Sequence, residues 1–224
     1  MNSPMRLDHN LSPKTRGIHH LALNTDDMKM TIDFYTRVLE MPLIHALRVP
    51  PGVGIGKGNR GNPPFENLRH YFFDAGGDTM VAFFELPKGQ QPTANLNAVA
   101  AMQHCSFTTT QEKFNQLHQN LIAEGVSLIG PVGVGSQTWS LYFYDPNGIR
   151  LELSWQEHDH EDVHVVERWT QSQEEIMQEL QTLSDDHEWL IKVTHHLSPV
   201  PDVVYRAIPF RYTSLHPDVF VRHP

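Results

Sequence analysis

The chain has one cysteine, Cys105, among 224 residues, which excludes an intrachain disulfide framework and any cysteine-based zinc cluster. It is also short of positive charge: 17 Lys and Arg stand against 26 Asp and Glu, a formal net charge of −9. That balance repels phosphate backbones, and no basic stripe interrupts it, so nucleic acid is not expected as a partner. No run of 18 apolar residues occurs, and residues 1–16 lack the apolar core of a secretory leader. Neither a membrane span nor export is therefore expected, and the cytoplasm is the expected location. What the sequence does have is a globular composition, 39% hydrophobic and 19% charged, and an unusual 15 histidines. Its length accommodates one large domain or two small ones fused around a core, with a small molecule as the expected partner and homo-oligomer formation left open.

Two stretches carry the same order of signals, an internal repeat that decides the fold class. Residues 17–24 alternate as a strand, Asp26 or Asp27 can cap a helix, and Met28, Ile32, Tyr35 and Leu39 recur at helical spacing until Pro42. Strands follow at 43–49, 69–73 and 79–86, the last two joined by a glycine turn at 74–78. The order then returns: a strand at 101–109, a helix at 111–124 stopped by Gly125, and strands at 126–129, 138–144 and 149–155. Asp145, Pro146, Asn147 and Gly148 form the final turn. The resulting division is an N-terminal tail (1–16), a first βαβββ module (17–87), a linker (88–100), a second module (101–155) and a C-terminal extension (156–224). The expected fold is α+β, paired βαβββ modules forming a cup-shaped mixed sheet, plus a helical and irregular extension. The extension reads as helical over 165–183, and its Trp189, Tyr205, Phe210 and Tyr212 are apolar enough to pack on the cup or on a partner subunit.

His20 and His104 take matching places in the first strand of each module, and Glu152 lies in the last strand of the second. In a cup built from related modules, first and last strands line the concave face, so the three can converge on one ion. Two imidazoles and a carboxylate suit Fe(II), Mn(II), Zn(II) or Ni(II) and leave coordination positions open. Two other features carry less. The run at 158–164 offers imidazoles and carboxylates for a second metal but reads better as a solvated linker. The glycine-rich loop at 52–58 lacks the Ser or Thr that follows Gly-Lys in a phosphate loop and leads into more loop, which makes it a lid.

Residues 17–43, 103–107 and 144–152 resemble the vicinal oxygen chelate superfamily, which includes glyoxalase I, methylmalonyl-CoA epimerase, extradiol dioxygenases and fosfomycin or bleomycin resistance proteins. The resemblance covers about residues 17–155 and implies the two-module fold; chemistry varies among its members. In the isomerase and epimerase branches a fourth ligand, Glu or Gln, comes from the last strand of module one. Aligning residues 71–77 with 142–148, and allowing two extra turn residues, brings Phe83 to that place, with Glu85 on the same strand face two residues on. Phenylalanine cannot ligate, which leaves the open His, His, Glu triad of non-haem Fe(II) oxygenases and makes Fe(II) the favoured metal. The resemblance to extradiol dioxygenases further implies Tyr142 as a hydrogen-bonding phenol near the carboxylate ligand. Those enzymes carry an Asn-x-Arg-His-His run with a second, acid-base histidine; here residues 67–71 match in part, Tyr71 replaces that histidine, and His70 is the substitute candidate. The leading expectation is thus an extradiol-type Fe(II) dioxygenase acting on a small aromatic or vicinal-oxygen substrate. A glyoxalase- or epimerase-like lyase or isomerase using Glu85, and a non-catalytic resistance-type binding protein, are the alternatives.

Overall fold

A computed structural model of the chain describes residues 15–52, 66–89, 92–134, 138–157, 165 and 170–197. Most of the lid at 52–58, the run at 158–164, and Tyr205, Phe210 and Tyr212 lie outside the described residues. The described chain forms two compact units, one holding the repeated modules and one the extension.

In the first module β1 (His20–Thr25) leads through an Asp27 cap, whose carboxylate accepts from the Met30 N–H at 3.0 Å, into α1 (Met28–Asp33). The helix widens into a π turn at Phe34–Val38, closed by Leu39 N–H to the Phe34 carbonyl at 3.2 Å. The wider turn lets the consecutive Phe34 and Tyr35 both bury. Strands β2 (Leu43–Arg48), β3 (Arg69–Asp74) and β4 (Met80–Glu85) complete a sheet in the order β1-β4-β3-β2. The second module repeats this plan: β5 (Cys105–Thr108), α2 (Gln111–Ala123) capped by Thr110, β6 (Leu128–Val134), β7 (Thr138–Tyr144) and β8 (Arg150–Gln156), in the order β5-β8-β7-β6. In each sheet the first strand runs parallel to the last and the remaining pairs are antiparallel. This is the α+β, paired βαβββ architecture.

One face of each sheet packs into a single core. Phe73, Val81 and Phe83 from the first sheet and Leu141, Phe143, Leu151 and Leu153 from the second bury with Tyr35, Val38, Phe114 and Leu121 of the helical segments. The rings of Phe34 and Phe143 meet at 6.5 Å across the two modules. Polar links join the modules as well. Arg37 pairs with Glu124, Asn120 donates to Glu40 at 3.0 Å, and the buried Tyr35 hydroxyl donates to Asp145 at 3.1 Å. Asp145 also accepts the Asn147 and Ile149 N–H groups at 2.8 Å, and Thr25 donates to Asn147 at 2.6 Å. The Asp-Pro-Asn-Gly turn is therefore both the β7–β8 connection and a clasp onto the first module.

In the extension, α3 (Gln173–Leu180) starts at a capping box between Ser172 and Glu175, and α4 (His187–Thr194) is capped by Asp186. The described helix is shorter than the expected 165–183, and α4 occupies part of the stretch expected to be irregular. Gln173 donates to Thr194 at 3.3 Å, and Leu190 and Thr194 are buried. Among the described residues no helix is long and apolar enough to cross a membrane.

Candidate metal centre

Strand alternation assigns each side chain a face. On β8, Leu151 and Leu153 enter the core, so Arg150, Glu152 and Ser154 lie on the opposite, open face. Glu152 pairs across the ladders with Tyr142 of β7 and Ser106 of β5, and His104, two residues before Ser106, shares that face. His104 Nε2 stands 3.0 Å from Glu152 Oε2, while its Nδ1 is held by the side-chain carbonyl of Gln103. An imidazole fixed at one nitrogen with the other aimed beside a carboxylate oxygen is the arrangement of a metal-ligating histidine with its orienting partner. Ligation of a divalent ion there would use a neutral imidazole and a carboxylate. Glu152 is 6% exposed, and its other oxygen accepts the Ser154 hydroxyl at 2.9 Å. Burial first, then the neighbouring Glu152 carboxylate, raises the Tyr142 phenol above its ordinary range. Arg150 sits over the Tyr142 ring at 5.0 Å.

The first sheet carries the other half. Val81 and Phe83 enter the core, which leaves Met80, Ala82 and Phe84 on the open face with His20, Ala22 and Asn24 of the adjoining strand. His70 pairs with Phe84, so it shares that face, whereas Tyr71 pairs with Phe83 and packs toward the core. The rings of His20 and His70 lie 6.4 Å apart, and His70 stacks on Phe84 at 3.7 Å. Burial, with smaller contributions from His20 and His45, pushes His70 down to about 4, so its imidazole is neutral at physiological pH. Its Nε2 is buried without a hydrogen-bond partner.

The ladders correct the sequence alignment at the fourth-ligand place. Asp74 pairs with Met80 and Tyr144 with Arg150, so residues 75–79 and 145–149 are turns of equal length and no extra residues intervene. Glu152 faces Ser106, two past His104; Ala82 faces Ala22, two past His20. The counterpart of Glu152 is thus Ala82, not Phe83, and the counterpart of Tyr142 is Phe72, not Tyr71. Phe83 is a core residue, ringed by Tyr35 at 4.9 Å and Phe73 at 6.1 Å. Glu85 shares the parity of Phe83, accepts the Met28 N–H at 3.0 Å and pairs with Arg69. It closes the start of α1.

The structure brings His104, Glu152 and Tyr142 together, and separately His20 with His70. Both open faces turn away from the core that the two sheets share, and among the described residues no three His, Cys, Asp or Glu side chains gather as a metal site within one chain. Sequence reasoning missed the residues that dress these faces: Gln103, Ser106, Ser140 and Ser154 around Glu152, and His45, Phe72 and Phe84 around His70. Period-two counting outward from Glu152 and His104 would have found Ser154 and Ser106.

A glyoxalase/dioxygenase from Nostoc punctiforme is 23% identical, covering 70% of this chain and 99% of that one at a TM-score of 0.48. A glyoxylase/bleomycin resistance protein/dioxygenase domain from Frankia sp. EAN1pec is 19% identical, covering 67% and 96% at 0.49. A genomically encoded fosfomycin resistance protein from Listeria monocytogenes, solved with Mn(II) and sulfate, is 19% identical, covering 64% and 95% at 0.41. The sequence profile of the Glyoxalase/Bleomycin resistance protein/Dioxygenase superfamily matches residues 17–153, the whole of both modules up to the residue after Glu152, and the chain belongs to that superfamily.

Proposed function

We propose that the chain is a divalent-metal enzyme in which His20, His104 and Glu152 are the protein ligands, acting as an extradiol-type Fe(II) dioxygenase on a small aromatic or vicinal-oxygen substrate. The observation that carries this reading is Ala82, buried at the place in the first sheet that Glu152 takes in the second. A methyl group stands where a fourth carboxylate would be needed, and Glu85, the other candidate, is engaged by Met28 and Arg69. Three protein donors leave adjacent positions for two substrate oxygens and dioxygen, the donor set of facial-triad oxygenases. The lyase or isomerase reading requires a fourth donor that neither residue supplies.

The two half-sites lie on open faces of different sheets, which supports a centre completed between two copies, one giving His20 and the other His104 and Glu152. β1 and β5 are both sheet edges, and Ala22, Asn24, Ser106 and Thr108 on their outer faces are exposed. Unpaired edges with exposed faces are ready surfaces for a second chain.

The metal would supply Lewis acidity and a template for two oxygens. The protein's own groups then divide the remaining work. Tyr142, its phenol held protonated beside Glu152, donates a hydrogen bond to a bound substrate oxygen. His70, neutral and stacked on Phe84, carries a buried Nε2 without a partner, so its role is to accept a hydrogen bond from a substrate hydroxyl that reaches this face. Phe72 and Phe84 flank His70 and exclude water on that side. Anaerobic loading with Fe(II) followed by exposure to oxygen and a panel of catechols tests the proposal: ring-cleavage absorbance is expected. Iron bound at one equivalent per copy with no oxygen uptake across the panel would overturn it.

A further inference from the structure

We propose that Ser154 is a positioning residue that restricts Glu152 to a single metal-directed oxygen, Oε2; this rests on the three-donor reading above. Glu152 and Ser154 are two residues apart on β8 and so stand side by side on the open face. Ser154 Oγ–H donates to Glu152 Oε1 at 2.9 Å, while Oε2 lies 3.0 Å from His104 Nε2. The two carboxylate oxygens therefore have different tasks.

Ser154 is itself oriented. Ser106 Oγ of β5 lies 2.9 Å from Ser154 Oγ, and Ser140 Oγ of β7 lies 3.3 Å from it. A serine hydroxyl has one proton and two acceptor sites. Because Ser154 spends its proton on Glu152, it receives from Ser106 and Ser140, and the hydroxyls of three adjacent strands form a ladder directed at Oε1. A carboxylate held in this way offers one oxygen to a cation. A carboxylate free at both oxygens can chelate it and take up a further position. The ladder keeps that position for substrate.

The test uses Co(II) alone as probe with the full chain. Wild type, Ser154→Ala, Ser154→Thr and Ser106→Ala are titrated while visible absorption and thermal stability are followed. Ser154→Ala should weaken Co(II) binding about tenfold, the lower end of the usual effect of removing an orienting partner. Its Co(II) absorption should also weaken as the freed carboxylate raises the coordination number. Ser154→Thr, which restores the hydroxyl, should recover both, and Ser106→Ala, which removes only the far end of the ladder, should stay close to wild type. An Ser154→Ala protein with the affinity and spectrum of wild type overturns the inference, and so does one that has lost only thermal stability. A wild type that binds no Co(II), with Glu152→Gln indistinguishable from it, overturns instead the metal reading on which the inference stands.

Discussion

Removing one oxygen atom at Tyr35 isolates one buried bond among those that fasten the two modules. Tyr35 is fully buried; burial first, then Asp145, holds its phenol well above the ordinary range, so it is a donor throughout the pH range of the folded protein. In Tyr35→Phe the ring keeps its contacts with Phe83 at 4.9 Å and Phe73 at 5.5 Å, so the apolar burial is unchanged. What disappears is the 3.1 Å bond to Asp145 Oδ2, an oxygen that retains the Asn147 side chain at 3.0 Å as its remaining donor. A hydrogen bond to a charged group contributes about 1.5–3 kcal/mol. For a unit of this size each kcal/mol moves the melting temperature by roughly 2–4 °C, which places the variant roughly 3–12 °C below wild type. Differential scanning calorimetry with a guanidinium titration measures it, and Tyr35→Phe in an Asp145→Asn background should cost much less, because the partner is already changed. A variant melting within about 1 °C of wild type would refute the reasoning.

Other residues give equally specific outcomes. Glu85→Gln should lower stability by about 0.5–2 kcal/mol by weakening the closure at the start of α1, and leave metal affinity unchanged; a loss of metal binding in isothermal titration would return Glu85 to the ligand set. Asp145 has its carboxyl raised by burial, so the folded state holds its proton to higher pH than the unfolded chain does. The sign follows: this group's contribution makes stability fall as pH rises from about 3.9 through the raised folded value. Asp145→Asn should remove that part of the slope, visible as a difference between the denaturant midpoints of the two proteins from pH 4 to 7; parallel curves would contradict it.

How much was legible in the sequence depended on how strongly each strand alternates. In β8 the order Leu151, Glu152, Leu153, Ser154 separates apolar from polar cleanly, and that alternation alone puts Glu152 on the face opposite the core. β4 reads Met80, Val81, Ala82, Phe83, Phe84, apolar on both faces, so its periodicity carries no register. The likeness of Tyr71 to Tyr142 points one residue away from the ladder and puts Phe83 where Ala82 stands. The absence of a fourth ligand at that place follows from either residue, although only Ala82 faces His20's side. The same one-residue logic favours His70 over Tyr71 on the open face. The π turn at Phe34–Val38 is set by packing two large rings into one core, and α4 by a lone Asp186 cap, neither of which has a strong periodic signal. The separation of His20 from His104 and Glu152 within a chain was not legible at all, because which sheet faces share the core is decided by tertiary packing between modules.

That separation supplies the most direct measurement. His20→Ala chains and Glu152→Gln chains should each bind Mn(II) weakly when alone. Refolded together, they should regain tight binding, because one mixed pair contains a complete set of His20 from one copy and His104 with Glu152 from the other. Mn(II) electron paramagnetic resonance of the free ion reads this without reference to substrate. Recovery in the mixture is the predicted result; a mixture that binds no better than its separate components would contradict a three-donor centre shared between two copies.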